Sequence, residues 1–406
     1  MDIKIYPSKI GGKISAQPSK SFLNRALLCA ALCEEKTVIK NAGLSGDILT
    51  MLDCLKALGA DWSCSLDGTL IIIPSAERRE IAHINCRESG SALRFLLPCL
   101  PLFAENCTVE MSEGLSKRPM DVFISELERF GMEIKRGGCS YDVRGCLKSG
   151  EYILPGDISS QYISALMLAL PRVEGDSAIK IKGSMFSRPY VEMSADMLSR
   201  FGAAVTFNEN TIFISGSQQY KAPLALAAQG DWSNAAPFLA MGALSGETVE
   251  ISGLDENSKQ GDRSIKAFLK DIQASPSPRT IDLSQNPDLA PTLAAFAAVC
   301  EGVTMFTGVK RLKYKESDRL NGIVHLIRCL GGDAQASEDT ISVKGKGRLD
   351  GGIAEAEGDH RTVMAAAVAS CGCRGDVIIK DAEAVEKSYP SFFEDFKALG
   401  GKFNVI

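Results

Sequence analysis

The sequence predicts an α/β fold in which a unit of about 68 residues, with two helices and several short strands, is repeated six times. Ala- and Leu-rich helical segments recur, each opened by a loop rich in Gly, Ser or Asp and followed by a short strand. A second, amphipathic segment then ends at a glycine, and these glycines lie about 70 residues, or twice that, apart. Because 406 residues exceed one hydrophobic core, two globular domains are favoured over a single ring.

The first helix of each unit is apolar on nearly all sides. We therefore expect it to lie buried, where Ala-rich helices pack closely together. The strands that follow are short and β-branched, as in TVIK from Thr37 and TVEI from Thr248. The first helices are predicted to begin at Ser21, Ser89, Ser159, Ser233, Pro291 and His360.

The second helix of each unit is amphipathic and is predicted to lie outside. In PMDVFISELERFG, for example, the apolar side chains Met120, Phe123, Ile124, Leu127 and Phe130 share one face. The glycines that end these helices suit the left-handed conformation that closes a helix, and they are Gly59, Gly131, Gly202, Gly331 and Gly400. The fourth unit lacks this glycine and is the degenerate copy. Its segment SPSPR, residues 275–279, indicates a local insertion.

The composition excludes several classes of protein. The net charge is −5, which is unsuited to sequence-independent nucleic-acid binding. The hydrophobic content of 45% excludes a disordered chain, and no apolar run approaches the ~18 residues of a membrane span. The start, MDIKIYPSKIGG, lacks the apolar core of a signal peptide. We therefore expect a soluble, cytoplasmic protein that binds neither nucleic acid nor membrane.

The thirteen cysteines are scattered from Cys29 to Cys373, and only three histidines accompany them. A zinc site requires clustered ligands, and the cysteines of a disulfide framework lie closer together in a shorter chain. Reduced, mostly buried thiols and no metal site are expected. The glycine motifs that bind ATP or dinucleotides are absent, and so is the G-x-S-x-G motif of α/β-hydrolases.

Cations recur in the loops that open the helices. Lys or Arg at a helix start opposes the helix dipole unless a bound anion offsets it. Any one of these residues also fits a surface charge, but their recurrence at one structural position predicts an anionic ligand, for which Arg supplies a bidentate fork. They are Lys20 and Arg25 in PSKSFLNR, Lys117 and Arg118 in GLSKRP, Arg188 in FSRPY, Lys315 and Arg319 in KYKESDR, Arg361 in GDHR and Lys387 in EKSYP.

Two carboxylates lie at helix starts among these cations, Asp288 in NPDLAPTL and Glu316 in KESDR. Each fits an ordinary helix cap. Beside cations and an anionic ligand, each also fits a general acid or base. Arg94 lies inside a helix and is predicted to make a structural salt bridge.

The chain resembles one family, the 5-enolpyruvylshikimate-3-phosphate synthases, which are enolpyruvyl transferases. The resemblance extends over nearly the whole chain, and the order of its many loops makes it specific. The segments that carry it are PSKSFLNRALLCAAL, ESGSALRFL, KRPMDVFISEL, GDISSQYISALM, SRPYVEM, PDLAPTLA, KYKESDRL, GDHRTVMA and EKSYPSFF.

The resemblance implies an α/β fold of the α+β type, the inside-out α/β barrel of enolpyruvyl transferases. Each of two globular domains then contains three pseudo-repeated βαβαββ units with buried parallel helices. The implied N-terminal lobe is residues 15–226, and the C-terminal lobe is residues 1–14 together with 227–406. The active site is expected in the cleft between them.

The implied reaction transfers the enolpyruvyl group of phosphoenolpyruvate to the 5-hydroxyl of shikimate 3-phosphate and releases phosphate. It proceeds by addition and elimination through a tetrahedral intermediate, and it belongs to the shikimate pathway of aromatic amino-acid and chorismate biosynthesis. No cofactor and no metal are implied. Both substrates carry a phosphate and a carboxylate, which accounts for the many cations. We expect a cytoplasmic monomer whose partners are these two small molecules.

The resemblance also assigns site residues. Phosphoenolpyruvate is expected to contact Lys20, Gly90, Arg118, Gln161, Arg319, Arg361 and Lys387. Shikimate 3-phosphate is expected to contact Lys20, Ser21, Arg25, Ser159, Ser160, Gln161, Ser187, Asp288 and Lys315. In catalysis Asp288 is the implied base on the 5-hydroxyl, Glu316 delivers a proton to the methylene carbon, and Lys20 assists the leaving phosphate. Glycine at position 90 also makes physical sense, because a side chain there would crowd the anion.

The sequence departs from the family pattern in three places. The loop Gln17-Pro18-Ser19-Lys20 is shorter than in many members, and Glu88-Ser89-Gly90-Ser91 replaces Asn-Ser-Gly-Thr. Arg311 stands where some members have an Asn that touches shikimate 3-phosphate, so the resemblance does not assign Arg311 to the site.

Two other functions compete with this interpretation. A sister enzyme with the same fold transfers enolpyruvyl to UDP-N-acetylglucosamine, but the position of its reactive Cys is Glu113 here. A non-catalytic repeat protein, such as a clamp, would need a basic lining distributed along a ring. The cations of this chain instead cluster at helix starts, with Asp288 and Glu316 among them.

Overall fold

In the computed structural model, which describes residues 1–274 and 276–406, the chain forms two compact units. We call Pro18–Gln229 the N-terminal unit, and Met1–Gln17 together with Gly230–Ile406 the C-terminal unit. Each unit has its own hydrophobic core. Ser275, the first residue of the predicted insertion, lies outside the described residues. Among the described residues, no helix has the length and apolar character that crossing a membrane requires.

Short strands and helices alternate along the chain. The strands are β1 (Ile3–Tyr6), β2 (Gly12–Ser15), β3 (Thr37–Lys40), β4 (Asp61–Cys64), β5 (Leu70–Ile73), β6 (Arg79–Asn85), β7 (Ala104–Glu110), β8 (Met132–Arg136), β9 (Ser140–Gly145), β10 (Glu151–Pro155), β11 (Ser177–Lys182), β12 (Val205–Asn208), β13 (Thr211–Ile214), β14 (Leu226–Ala227), β15 (Val249–Ser252), β16 (Arg279–Asp282), β17 (Glu301–Thr307), β18 (Asp333–Ala336), β19 (Thr340–Lys346), β20 (Gly352–Glu355), β21 (Val377–Lys380) and β22 (Lys402–Val405). The α-helices are α1 (Lys20–Ala31), α2 (Gly46–Ala57), α3 (Gly90–Leu96), α4 (Leu100–Phe103), α5 (Glu113–Ser116), α6 (Asp121–Arg129), α7 (Ser160–Ala169), α8 (Arg188–Arg200), α9 (Trp232–Ser245), α10 (Ile265–Ala274), α11 (Ala290–Val299), α12 (Arg319–Cys329), α13 (His360–Ser370) and α14 (Phe392–Ala398). Short 3₁₀ helices span Leu97–Cys99, Leu170–Arg172, Gly261–Ser264, Pro287–Leu289, Lys310–Tyr314 and Ala382–Lys387.

In the part of the chain that the structure describes, five four-stranded sheets repeat one topology, in which two parallel strands are followed by an antiparallel pair. In the sheet ordered β10-β11-β13-β12, β10 is parallel to β11 with Ile153 opposite Lys180, and β13 is antiparallel to β11 with Ile212 opposite Ile179. The helices α7 and α8 join the successive strands β10, β11 and β12, as a βαβαββ unit requires. The predicted α/β fold of repeated βαβαββ units is therefore confirmed.

The structure of the fourth repeat unit explains why it lacks the helix-ending glycine. Within the described ranges its sheet contains β2 and β15 alone, paired in parallel from Gly12 opposite Val249 to Ser15 opposite Ser252. In the described part of the chain, α10 leads to β16, the first strand of the next sheet, and no antiparallel pair intervenes. The helix-ending glycines of the other units all have positive φ, and they are Gly59, Gly131, Gly202, Gly331 and Gly400.

Distant segments complete two of the sheets. The N-terminal strand β1 lies between β21 and β22 in the last sheet, antiparallel to both, with Ile3 opposite Ile379 and Val405. Likewise β14 pairs in parallel with β3, which places Leu226 opposite Ile39. Both sheets thus depend on pairing between residues far apart in the chain.

The apolar first helices are buried, as predicted. Every residue of α11 and of α13 is buried, and the helix starts agree with the predicted ones to within one residue. The amphipathic helix α6 buries Phe123, Ile124 and Leu127 on one face. Two of the predicted cations lie in the first turns of these buried helices, Lys20 in α1 and Arg361 in α13.

None of the thirteen cysteines is joined in a disulfide. At about pH 8 we expect iodoacetamide to alkylate the exposed Cys139, Cys146 and Cys329 of the native protein, because the attacking species is an accessible thiolate. Buried thiols such as Cys107, whose pKa burial raises to about 12, should react only after denaturation in urea. Peptide mass spectrometry checks this, and native labelling of Cys107 would contradict it.

Candidate active site

The predicted lysine of the N-terminal unit lies at the start of a buried helix. Lys20 is the first residue of α1, and the side chain of Ser19 caps that helix by accepting from the backbone N–H of Phe22. The Nζ of Lys20 donates to Oδ2 of Asp47 at 2.7 Å, and both side chains are largely buried. Asp47 lies in the first turn of α2. The carboxylate of Asp47 therefore orients the ammonium group of Lys20.

Arg25 is one turn further along α1 and is buried. Its Nε donates to Oγ of Ser194 at 2.7 Å, and its Nη2 donates to the carbonyl oxygen of Tyr190 at 2.9 Å. A further bond at 2.7 Å joins Nη1 to the carbonyl oxygen of Ser21. Within the described ranges no carboxylate lies in ion-pair distance of this guanidinium, and burial lowers the pKa of Arg25 to about 10. Arg25 is therefore still charged near neutral pH, and it forms no ion pair with any carboxylate of the described residues.

A second group surrounds the start of α3. A Cβ atom at Gly90 would lie 2.6 Å from Nη1 of Arg94 and 3.0 Å from Nη1 of Arg118, so two guanidinium groups approach the bare backbone here. Nη1 of Arg94 donates to Oε1 of Gln161 at 2.7 Å. Nη2 of Arg118 lies 3.7 Å from Oε2 of Glu88. Three predicted contacts of phosphoenolpyruvate, Gly90, Arg118 and Gln161, thus lie together.

We expect Gly90→Ala to raise KM for phosphoenolpyruvate at least several-fold and to change kcat less, because the new methyl group must displace Arg94 and Arg118. Steady-state kinetics with each substrate varied in turn measures the effect. Gly322→Ala is the matched control, since a Cβ at that glycine of α12 would meet nothing within 4 Å. An unchanged KM in Gly90→Ala contradicts the expectation.

The predicted serines lie at helix starts. The side chain of Ser159 caps α7 by accepting from the backbone N–H of Gln161 at 3.2 Å, and Ser160 is the first residue of that helix. Ser187 precedes α8 and is buried in the left-handed conformation, with φ of 51°. A non-glycine residue held in this conformation is strained, and such strain clusters at functional sites.

In the C-terminal unit, Arg319 is the centre of the predicted site. This guanidinium is buried at the start of α12. Nε donates to Oδ2 of Asp359 at 2.6 Å, Nη2 donates to Oε2 of Glu316 at 2.6 Å, and Nη1 donates to Oδ1 of Asp288 at 3.0 Å. Burial lowers the pKa of Arg319, but the three carboxylates outweigh that effect and raise it. One side chain therefore joins the loops that precede three helices.

Asp288 lies in the short 3₁₀ helix before α11 and accepts two charged hydrogen bonds. Nζ of Lys315 lies 2.9 Å from the same Oδ1 that accepts from Arg319. Burial raises the pKa of Asp288, but the nearby cations outweigh burial and hold it below its ordinary value. Burial also lowers the pKa of Lys315. Asp288 is thus an ionised carboxylate near neutral pH, as a general base must be.

Glu316 lies between two cations. It accepts from Arg319, and its Oε1 lies 3.7 Å from Nζ of Lys387, at the end of the 3₁₀ helix Ala382–Lys387. The cations of this group are Lys315, Arg319, Arg361 and Lys387, and its carboxylates are Asp288, Glu316 and Asp359. The group therefore carries excess positive charge before any ligand binds.

Arg361 is a buried cation that forms no close ion pair within the described residues. It lies in the first turn of α13 and is 6% exposed. Its Nη1 and Nη2 donate to the carbonyl and hydroxyl oxygens of Ser233 at 2.7 and 2.5 Å. Across residues 1–274 and 276–406 its Nε has no hydrogen-bond partner, and no carboxylate lies within ion-pair distance of it. Since an unpaired buried charge is costly, this guanidinium is suited to an anionic ligand.

Several partners of the site were not predicted. In the sequence, Asp47 resembles an ordinary acid at a helix start. Asp359 resembles a helix cap, and it does cap α13 by accepting from the backbone N–H of Arg361. Asp359 is fully buried. The sequence feature that points to it is its place in the segment GDHR, next to the predicted cation Arg361. Arg94, predicted only as a structural residue, contacts Gln161. Arg311 donates to the carbonyl oxygen of Ser284 at 2.9 Å.

Comparison with known proteins identifies the family. The model of the family "EPSP synthase (3-phosphoshikimate 1-carboxyvinyltransferase)" matches residues 5–396. A 3-phosphoshikimate 1-carboxyvinyltransferase from Clostridium kluyveri is 38% identical over 99% of this chain and 98% of its own length. A protein of the same name from Clostridium perfringens is 36% identical over 98% of each chain.

Solved structures show the same fold. The EPSP synthase from Acinetobacter baumannii matches with a TM-score of 0.81 at 24% identity and covers 100% of both chains. The enolpyruvyl transferase NikO from Streptomyces tendae matches with a TM-score of 0.80 at 17% identity and covers 99% of this chain and 98% of its own. From the family model and the curated relatives, it follows that this chain belongs to the EPSP synthase (3-phosphoshikimate 1-carboxyvinyltransferase) family.

Proposed function

We propose that the chain acts as a 3-phosphoshikimate 1-carboxyvinyltransferase through the two groups of residues described above. The enzyme transfers the enolpyruvyl group of phosphoenolpyruvate to the 5-hydroxyl of shikimate 3-phosphate and releases phosphate, a step of the shikimate pathway. The observation that carries the assignment of residues is Arg361, a buried guanidinium that forms no close ion pair within the described residues, in a group that already has excess positive charge. Both substrates bring the anions that such a group lacks.

Phosphoenolpyruvate binds Lys20, Gly90, Arg118, Gln161, Arg319, Arg361 and Lys387. Shikimate 3-phosphate binds Lys20, Ser21, Arg25, Ser159, Ser160, Gln161, Ser187, Asp288 and Lys315. Support comes from the buried cations Arg25 and Arg361, from the bare backbone at Gly90, and from the strained Ser187. Each unit supplies residues for the same reaction, so variants in either unit should lose activity.

The chemistry runs in two halves. In the addition, the carboxylate of Asp288 takes the proton of the 5-hydroxyl, whose oxygen forms a bond to C2 of phosphoenolpyruvate, while Glu316 gives a proton to C3. In the elimination, Glu316 takes a proton back from C3, the double bond re-forms, and the bond from C2 to the phosphate oxygen breaks. Lys20, held by Asp47, stabilises the negative charge of the departing phosphate. The phosphate takes up one proton from solvent, and Asp288 releases to solvent the proton that it took from the 5-hydroxyl.

Glu316 must carry a proton before it can give one. Arg319 donates to its carboxylate, and Nζ of Lys387 lies 3.7 Å from its Oε1. The same two cations are proposed to bind phosphoenolpyruvate, which places the acid beside the bound substrate.

Release of phosphate is the test. Purified protein is incubated with phosphoenolpyruvate alone, with added shikimate 3-phosphate, and with added UDP-N-acetylglucosamine. We expect phosphate only with shikimate 3-phosphate, together with a product that carries the enolpyruvyl group by mass spectrometry. Release with the nucleotide sugar would instead identify the sister activity, and no release with either acceptor would reject both.

We further propose that the enzyme is a cytoplasmic monomer that requires neither cofactor nor metal and binds no nucleic acid. Thirteen cysteines without a disulfide support the cytoplasmic location. The net charge of −5 supports the absence of nucleic-acid binding. Sedimentation at assay concentration measures the oligomeric state. Activity that survives dialysis against a chelator supports metal independence, and activity that needs an added metal rejects it.

A further inference from the structure

The fourth repeat unit supplies none of the predicted substrate contacts, yet its helix α9 contacts two loops that do. Nη1 and Nη2 of Arg361 donate to the carbonyl and hydroxyl oxygens of Ser233, as described above. The next residue, Asn234, donates from Nδ2 to the carbonyl oxygen of Ser388 at 3.0 Å. Ser388 directly follows Lys387. Consecutive residues of α9 therefore contact the side chain of one predicted cation and the backbone beside another.

The first turn of α9 is itself rigidly held. Asp231 caps the helix by accepting from the backbone N–H of Asn234 at 3.0 Å. Gln260 accepts from the backbone N–H of Trp232 at 2.9 Å and donates to the carbonyl oxygen of Gly230 at 2.8 Å. The Trp232 indole donates to a backbone carbonyl at 3.0 Å and is fully buried. This turn is thus a fixed support for whatever bonds to it.

The contacts leave donors of Arg361 available. A guanidinium has five N–H groups, and Ser233 takes one from each terminal nitrogen. The remaining three include the buried Nε–H, which has no partner in the described residues. A long Arg side chain loses rotamer freedom when it binds an anion, so a partner that fixes the rotamer beforehand lowers that cost.

We propose that Ser233 and Asn234 are positioning residues for phosphoenolpyruvate, with Ser233 fixing the Arg361 guanidinium and Asn234 fixing the loop that carries Lys387. This rests on the proposed function. The proposal explains why the fourth repeat unit, whose sheet has two strands fewer than the others among the described residues, still keeps the buried helix α9. Phe238, one turn further along α9, packs edge-on against Tyr389 with ring centroids 5.7 Å apart and holds the same loop.

Kinetics of Ser233→Ala tests the proposal. A hydrogen bond to a charged group corresponds to roughly 10- to 100-fold in affinity, and the backbone carbonyl contact survives the change, so we expect KM for phosphoenolpyruvate to rise about 10-fold. KM for shikimate 3-phosphate and the unfolding temperature should stay near the wild-type values. Ser233→Thr, which keeps a hydroxyl, should recover most of the affinity.

Asn234→Asp is the second variant. It keeps the size of the side chain but removes the donor to Ser388, and the same selective rise in KM is expected. The matched control is Ser370→Ala, which removes a buried hydroxyl that donates to the carbonyl oxygen of Ala367 at 2.7 Å within α13. It should leave KM for phosphoenolpyruvate unchanged. A wild-type KM in both Ser233→Ala and Asn234→Asp, or an equal rise for both substrates, overturns the proposal.

Failure of the proposed function is recognised separately. Calorimetric titration with phosphoenolpyruvate in the presence of shikimate 3-phosphate needs no turnover. If the wild type binds but releases no phosphate, the proposed function fails, while weaker binding by Ser233→Ala still supports the positioning role. If the wild type binds no phosphoenolpyruvate, both proposals fall.

Discussion

Asp288→Ala should lower kcat by roughly 10²- to 10⁴-fold, the range that general-base catalysis contributes. Asp288 is the carboxylate that both Lys315 and Arg319 hold ionised, so its loss removes the group that accepts the proton of the 5-hydroxyl. The fold should persist, because Arg319 keeps Asp359 and Glu316 as partners. Continuous measurement of phosphate release, with circular dichroism for the fold, gives both results.

Two comparisons sharpen this experiment. Asp288→Asn keeps the shape and the hydrogen-bond acceptor but cannot take the proton, so it should be nearly as slow as Asp288→Ala. Asp333→Asn, in β18 of the same unit and outside the site, should turn over like the wild type. Turnover near the wild-type rate in Asp288→Asn would refute the role of base.

Arg361→Met should reduce kcat/KM for phosphoenolpyruvate by at least about 100-fold, since a charge-assisted, two-pronged contact with an anion is lost. Unliganded stability should change little, because removing an unpaired buried charge offsets the loss of the two hydrogen bonds to Ser233. Thermal unfolding with and without phosphoenolpyruvate and shikimate 3-phosphate separates the effects. The ligands should raise the Tm of the wild type and raise that of the variant much less.

Arg361→Lys tests the chemistry of the group, because Lys keeps the charge but not the fork, and it should recover only part of the affinity. The exposed Arg374→Met is the control for loss of a cation from the same unit. If Arg361→Met kept its affinity for phosphoenolpyruvate, or if Arg374→Met lost as much, the anion would bind elsewhere.

Local patterns in the sequence predicted much of the fold. Apolar helices such as α11 and α13 and the closing glycines with positive φ follow from residues near each other in the chain, where periodicity and backbone preference decide the outcome. The sheet partners of β1 and β14 follow from no local pattern. The expected lobe limits, residues 15–226 and 1–14 with 227–406, stay a prediction.

Loop motifs predicted the site residues, but they did not predict the residues that hold those side chains in place. Asp359 lies 40 residues from Arg319 in the chain, and Ser233 lies 128 residues from Arg361. An acid or a serine at a helix start has an ordinary explanation as a cap. Only the fold shows which of these caps also holds a cation.

The position of β1 between β21 and β22 has a consequence for biosynthesis. The residues of β1 are made long before those of β22, so the two strands cannot pair until the residues around Val405 have been synthesised. Pro18–Gln229, which contains its own core, has all of its partners much earlier. Synthesis from the N-terminus therefore favours an order in which residues 18–229 fold before β1 can pair with β22.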